Sequence, residues 1–308
     1  MKRNVVAIAV LALFVSALLA VALSPATAQA TTIKNRTFTT YNVPAGAHNR
    51  VYDHVTFKGG NSSTAVLTIN HAAHNITFTH CTIERGPYNG VTINATNGNI
   101  HDITFTHCRI KAAGRMGIEV TQRPASNSTG PKRIKVISTV IEPSAEEAMS
   151  YDGGYFASYD LISGVTILGS DNQQNPAWSG AIEINGPTYF TVQNTKIYAS
   201  RKNALNLEGP PGRNGHLVFR NLTIDYGKRY ESYATDSSTA RLTELQSVNG
   251  AVFTGCHFTL GRAWNAGYWT DSSNNNLSTS TLAGKCPTGR AMWSPNGTGA
   301  KNKMPARK

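Results

Sequence analysis

Asn75-Ile76-Thr77-Phe78-Thr79-His80-Cys81-Thr82-Ile83 returns 27 residues later as Asp102-Ile103-Thr104-Phe105-Thr106-His107-Cys108-Arg109-Ile110. A second run follows each at the same offset: Gly90-Val91-Thr92-Ile93-Asn94 and Gly117-Ile118-Glu119-Val120-Thr121. Apolar residues alternate with Thr and Asn in all four runs, the period of a strand that buries one face. A fixed period of this size, with no helical stretch between the strands, signals a repeat architecture. Looser copies end at Phe57, Ile141, Ile167, Ile197, Ile224 and Phe258, which makes eight. The Gly-initiated partner run recurs at 65–70, 180–185 and 204–208, with weaker versions at 149–152 and 242–246.

Propeller blades need about 40 to 50 residues each, more than this period allows. A coil in which every turn is one rung needs fewer. The chain is therefore expected to be all-β, a right-handed single-stranded parallel β-helix of seven or eight rungs. Rungs stacked ~4.8 Å apart would make it ~35 Å long. The rung near Asp160 is weak, but its partner run at 180–185 is intact, so a rung is expected there too.

The composition agrees. Only 15% of the 308 residues are charged and 40% are hydrophobic, with 27 Gly. Bundles and coiled coils want more Ala, Glu, Lys and Leu, and a disordered chain would not repeat Val, Ile and Phe. The first thirty residues read as a secretory signal peptide: Lys2 and Arg3, an uncharged apolar stretch from Val5 to Leu23, then Ala28-Gln29-Ala30 before Thr31. Cleavage there would leave a secreted chain with no membrane-spanning segment. An uncleaved anchor is the alternative, since nineteen residues nearly span a bilayer.

The net charge is +12, from 29 Lys and Arg against 17 Asp and Glu. Six of the cations, Lys285, Arg290, Lys301, Lys303, Arg307 and Lys308, fall after residue 283 without a single acid. The expected organisation is thus a β-helix domain over 31–270, caps included, and a basic, polar, disordered tail over 271–308. A basic tail does not make the basic face that a nucleic-acid partner needs. A monomer is expected.

Aligning the copies gives columns. Val55, Cys81, Cys108, Thr139, Val165, Thr195, Leu222 and Cys256 should point inward, with Cys81 and Cys108 as buried free thiols. The disulfide state of Cys256 and Cys286 is left open, a bridge between them being one way to tie down the C-terminal segment. The column His54, His80, His107, Ser138, Gly164, Asn194, Asn221 and Gly255 marks a bend. Its three His favour stacking along the ladder, with metal binding the lesser alternative.

The Asn-Ile-Thr-Phe-x-x-Cys-x-Ile and Gly-Val-x-Ile-Asn units resemble the parallel β-helix repeats of the pectate-lyase-like superfamily, over roughly 51–258. That resemblance implies the fold. It leaves function open, because the superfamily holds pectate and alginate lyases, polygalacturonases, phage tailspikes and non-enzymatic adhesins. The Asn-Thr-Asp, Asp-Asp and Gly-His-Gly motifs of polygalacturonases are missing here, and Arg133-Ile134-Lys135 falls in the wrong strand.

The Gly-initiated strands should form one sheet with two outward columns. The first reads Thr68, Thr92, Glu119, Ser150, Glu183, Asn206, Glu244. The second reads Asn70, Asn94, Thr121, Asp152, Asn185, Glu208, Gln246. Five of the seventeen acids would share this face. Such crowding calls for a cation, an arginine or a substrate partner. In the enzymes that the chain resembles, this sheet bears the site.

Arg115, Arg201, Trp178 and Tyr151, with Glu119, Asn206 and Glu244, are the candidate substrate-binding residues for a polysaccharide. Asp152, Glu183, Glu208 and Lys202 are the candidate catalytic residues. Asp152 and Glu183, ~8 Å apart at their side-chain origins, would suit an inverting hydrolase. Arg201, Lys202 or Tyr151 would be the base of a lyase, and Glu119, Asp152 and Glu183 could hold Ca²⁺ for it. The competing reading is a non-catalytic, adhesin-like surface protein whose acids are a solvated face.

Overall fold

The computed structural model describes residues 29–95, 99–111, 113–121, 131–152, 158–170, 180–186, 189–198, 203–208, 216–226, 241–260, 265–270, 274–283, 293–296, 303 and 306–307. For Asp152, 265–270, 293–296 and 306–307 it describes the backbone only. The expected signal peptide, apart from its last two residues, lies outside this set. The chain divides into two units, Met1–Ala30 and Thr31–Lys308. No helix among the described residues is long and apolar enough to cross a membrane.

Among the described residues, the second unit is a coil of strands in three parallel sheets with nine, eleven and ten members. The first sheet holds the Asn-Ile-Thr-Phe strands, such as His74–Thr79 and His101–Thr106, and the second the short strands that follow, such as Thr82–Ile83 and Arg109–Ile110. The third holds the Gly-initiated strands, from Tyr41–Val43 to Trp293–Asn296. The weak rung is present as Leu161–Ser163 and Thr166–Ile167.

The 27-residue offset sets the pairing directly: Ile76, Thr77 and Phe78 lie opposite Ile103, Thr104 and Phe105. Identical side chains therefore stack through the core. The rings of Tyr52, Phe78 and Phe105 lie parallel at 4.9 and 4.7 Å, fully buried. Ile83, Ile110, Ile141, Ile167, Ile197 and Ile224 line the second sheet's inner face, all buried.

The bend between the first two sheets explains the column of His, Ser, Asn and Gly. His54, His80, His107, Ser138, Asn194 and Asn221 all have φ between 46° and 52°, and Gly164 and Gly255 have φ of 66° and 62°. Left-handed backbone is tolerated by Gly and favours Asn and His among the rest. The three His rings stack at 4.8 and 5.1 Å, as the sequence suggests.

One residue further on, the inward column is filled by buried side chains, and its Thr and Cys members reach back to the carbonyl two residues earlier. Thr139 and Thr195 donate their hydroxyls to Ile137 and Gln193 at 2.9 Å, and the Cys81 and Cys108 thiols do the same to Thr79 and Thr106 at 3.4 Å. Cys81, Cys108 and Cys256 are all free and buried, so Cys256 is not half of a bridge to Cys286, which lies outside the described residues. Neighbouring Cys81 and burial together push the Cys108 thiol up, and burial does the same for Cys256. Cys81, whose thiol is pulled down by its hydrogen bond with Cys108, is shielded by burial like the other two, so a thiol reagent should leave all three unmodified in the native protein and modify them on denaturation without reductant. Modification of any of the three in the native fold would contradict this packing.

The described residues after 270 are strand-paired in part, which departs from the expected disordered tail. Thr281–Ala283 pairs with His257–Thr259, Trp293–Asn296 with Asn265–Thr270, and Ala306–Arg307 with Thr281 and Leu282. Leu277 and Leu282 are buried, and the buried Asn275 accepts the Ala251 N–H at 2.8 Å. Gly, Pro and Asn content suggests disorder, but an open β-helix end offers a full row of unpaired backbone groups. Pairing with that edge is driven by the main chain and is largely blind to side-chain composition.

Candidate functional site

The third sheet places the two outward columns where the alternation puts them. Thr92, Glu119, Ser150, Glu183, Asn206 and Glu244 lie opposite one another in successive strands. So do Asn94, Thr121, Asp152, Asn185, Glu208 and Gln246. Alternation along each strand is sufficient for this, because the apolar set has only one way to face the core.

What alternation does not convey is that the middle of this face is buried. Ser150, Glu183, Asn203 and Asn206 are 3, 7, 7 and 2% exposed. Both flanks are more open, and there the acids are neutralised by arginines. Arg115 donates from Nη1 to Glu119 Oε1 at 3.0 Å and from Nε to Glu146 Oε2 at 3.1 Å, with a further bond to the Tyr88 hydroxyl at 2.9 Å. Asn89 and Thr92 donate to the other Glu119 oxygen. At the opposite flank Glu244 Oε2 accepts from Arg241 Nη1 at 2.6 Å and from Asn203 Nδ2 at 2.7 Å.

These bonds bear on the calcium expectation. Both Glu119 oxygens are engaged by cation, amide and hydroxyl donors. Ser150 separates Glu119 from Glu183, so the two lie two strands, or ~9.6 Å, apart. The structure does not bring Glu119 and Glu183 to one ion. Arg115 likewise is clamped between two carboxylates and packed over the Tyr88 ring, 5.3 Å from its centroid.

The buried centre contains a residue that the sequence reading passes over. Glu147, 4% exposed, lies just before the strand Met149–Asp152 and within hydrogen-bonding reach of Glu183. Burial first, and the Glu183 carboxylate beside it second, push Glu147 up to about 9. It is therefore a neutral carboxylic acid at neutral pH, able to donate a proton. Around it, Asn185 donates to Glu183 Oε1 at 2.6 Å. Glu147 Oε2, Asn185 Oδ1 and Asn206 Nδ2 are buried without a protein partner. Buried polar atoms are rarely left so. The available signal for Glu147 was register: the N–H of Gly117 bonds its carbonyl, which puts Glu147 beside Met116 at the head of this sheet.

Tyr151 requires correction as a substrate contact or base. It is 1% exposed, its ring meets Phe190 edge-on at 4.7 Å, and its hydroxyl lies inside the coil near the buried Asp160. It sits between Ser150 and Asp152, which face outward, so the same alternation that exposes them points Tyr151 inward. Asn206 and Glu183 lie in the buried centre and Glu208 follows at its edge. Asp152 occupies its expected place by backbone register. Trp178, Arg201 and Lys202 lie outside the described residues.

No protein-family model and no curated protein matches the chain. Among solved structures, it is similar to the enzymatically active domain of tailspike protein 2 of bacteriophage CBA120, with 10% identity over 83% of this chain and a TM-score of 0.49. It is also similar to a DFA-IIIase from Arthrobacter chlorophenolicus, with 12% identity over 81% and a TM-score of 0.48. A third is an alginate lyase from Paenibacillus, with 14% identity over 92% and a TM-score of 0.45. The chain spans 43% of the tailspike domain, 60% of the DFA-IIIase and 94% of the lyase. Its own three parallel sheets, one strand per sheet in each turn, make it a parallel β-helix protein.

Proposed function

We propose that the chain is secreted and acts on a polysaccharide at the buried centre of its third sheet, with Glu147 as general acid and Glu183 as the carboxylate paired to it. The observation that carries this is the Glu147–Glu183 pair, set among buried polar atoms with no protein partner. A carboxylic acid held protonated beside a second carboxyl group is an arrangement by which an acid and a base can coexist at one pH. Sugar hydroxyls both donate and accept, and the centre offers both: the Asn206 amide as donor, Asn185 Oδ1 and Glu147 Oε2 as acceptors. The arginine–carboxylate clusters on the flanks extend the polar surface along the sheet, in the direction a chain-like ligand would run.

The division of labour follows from the chemistry. Glu147, holding its proton, can protonate a glycosidic oxygen, and the Glu183 carboxyl group is the one left to accept a proton from a sugar carbon or from water. A panel of neutral and acidic polysaccharides distinguishes the two outcomes, by reducing ends for hydrolysis and by absorbance of an unsaturated product for elimination. Binding without either product would instead support the adhesin-like reading. Neither binding nor turnover across the panel would overturn the proposal.

A further inference from the structure

Away from the third sheet, the bend after the first sheet carries the His54, His80, His107 ladder. In two of its rungs the preceding residue is Thr, whose hydroxyl bonds the ring: Thr79 to His80 Nδ1 and Thr106 to His107 Nδ1, both at 3.0 Å. In the first rung that residue is Asp53. Its Oδ2 lies 3.2 Å from the Lys34 ammonium, while its Oδ1 lies 2.7 Å from His54 Nδ1 and 3.8 Å from His80 Nδ1. One donor atom from each of the three residues falls within 4.8 Å of the other two. The His54 and His80 side chains are 60% and 50% exposed.

We propose that Asp53, His54 and His80 form a site for a borderline divalent transition-metal ion, with Zn²⁺, Ni²⁺ and Cu²⁺ as the class. Two imidazoles and one carboxylate are the donor set those ions take, whereas Ca²⁺ and Mg²⁺ prefer oxygen alone. Bonds of ~2.0–2.2 Å need donors a little over 3 Å apart, so the present separations require the exposed rings to rotate by only about an ångström. Lys34 leaves Oδ1 to the imidazoles by occupying Oδ2. Three protein ligands at an open surface leave at least one coordination position for water or an outside group. His107 is stacked on His80 but has only Thr106 beside it, so stacking alone does not create the site.

The test is Zn²⁺ titration by calorimetry of the full, untagged chain, with Ca²⁺ as the comparison ion. One Zn²⁺ per chain and no Ca²⁺ heat are expected. Asn is the natural substitute at these left-handed positions, being what the fold uses at 194 and 221. His80→Asn and Asp53→Asn should each weaken Zn²⁺ binding about tenfold or more, with His107→Asn unchanged and all variants melting near the wild type. The proposal is overturned if Zn²⁺ does not bind at millimolar concentration, if Asp53→Asn binds as well as the wild type, or if His107→Asn loses as much as His80→Asn. None of these outcomes depends on polysaccharide activity.

Discussion

Replacing Glu183 with Gln is expected to reduce turnover of the responsive polysaccharide by about 10² to 10⁴-fold, the range for removing a positioned acid–base group. The fold should survive, because Gln keeps the volume and can still accept from Asn185, whose Nδ2 lies 2.6 Å from Glu183 Oε1 in the wild type. A second reading of the same variant separates chemistry from packing. In the wild type, activity should fall as pH rises through the Glu147 transition at about 9, since the acid must hold its proton. Removing the Glu183 charge removes the second-largest of the causes that hold Glu147 up, so the residual activity of Glu183→Gln should lose its alkaline limb at lower pH. Glu147→Gln should be equally inactive and should lack that limb altogether. A Glu183→Gln enzyme with wild-type rates would refute the assignment, whatever its stability.

The same carboxyl makes stability depend on pH in a stated direction. Glu147 titrates at about 9 in the fold, against about 4.5 for an ordinary glutamate. Between those values the folded chain holds a proton that the unfolded chain has released, so stability is greatest at acid pH and is lost as pH rises. One such proton gives a slope of up to about 1.4 kcal/mol per pH unit.

Glu147→Gln should flatten much of the slope in urea unfolding series at pH 5, 7 and 9, and should be the more stable protein at pH 9. Some slope should remain, because burial also holds Asp160 well above the usual carboxylate range, with the same sign. Asp102 acts in the opposite direction. The Arg133 guanidinium holds it down to about 2, so its contribution is lost only in strong acid, outside this window. Parallel curves for wild type and Glu147→Gln would show that Glu147 is ionised in the fold.

The sequence determined the coil, its columns and its two outward rows on the third sheet, because each depends on local rules. Period-two alternation fixes which side chains face the core, a fixed offset fixes which ones stack, and left-handed bends select His, Asn and Gly. The pairing of Phe78 with Phe105 and of Ser150 with Glu183 follows from those rules alone. Tyr151 was legible too, since the alternation that places Asp152 outward places it inward.

Only the tertiary structure decided how those rows are used. Whether an acid on an outward row is solvated, paired or buried depends on what lies against it from other turns, and no periodicity reports that. Arg115 and Arg241 turn Glu119 and Glu244 into ion pairs, while burial leaves Glu147 and Glu183 to share a proton. Glu147 stands at the head of its strand rather than in the alternating run, so its partner across the next turn became visible only once the turns were stacked. The C-terminal strands escaped the sequence for a related reason. They pair through the main chain, which every residue but proline carries in full and no side-chain pattern records.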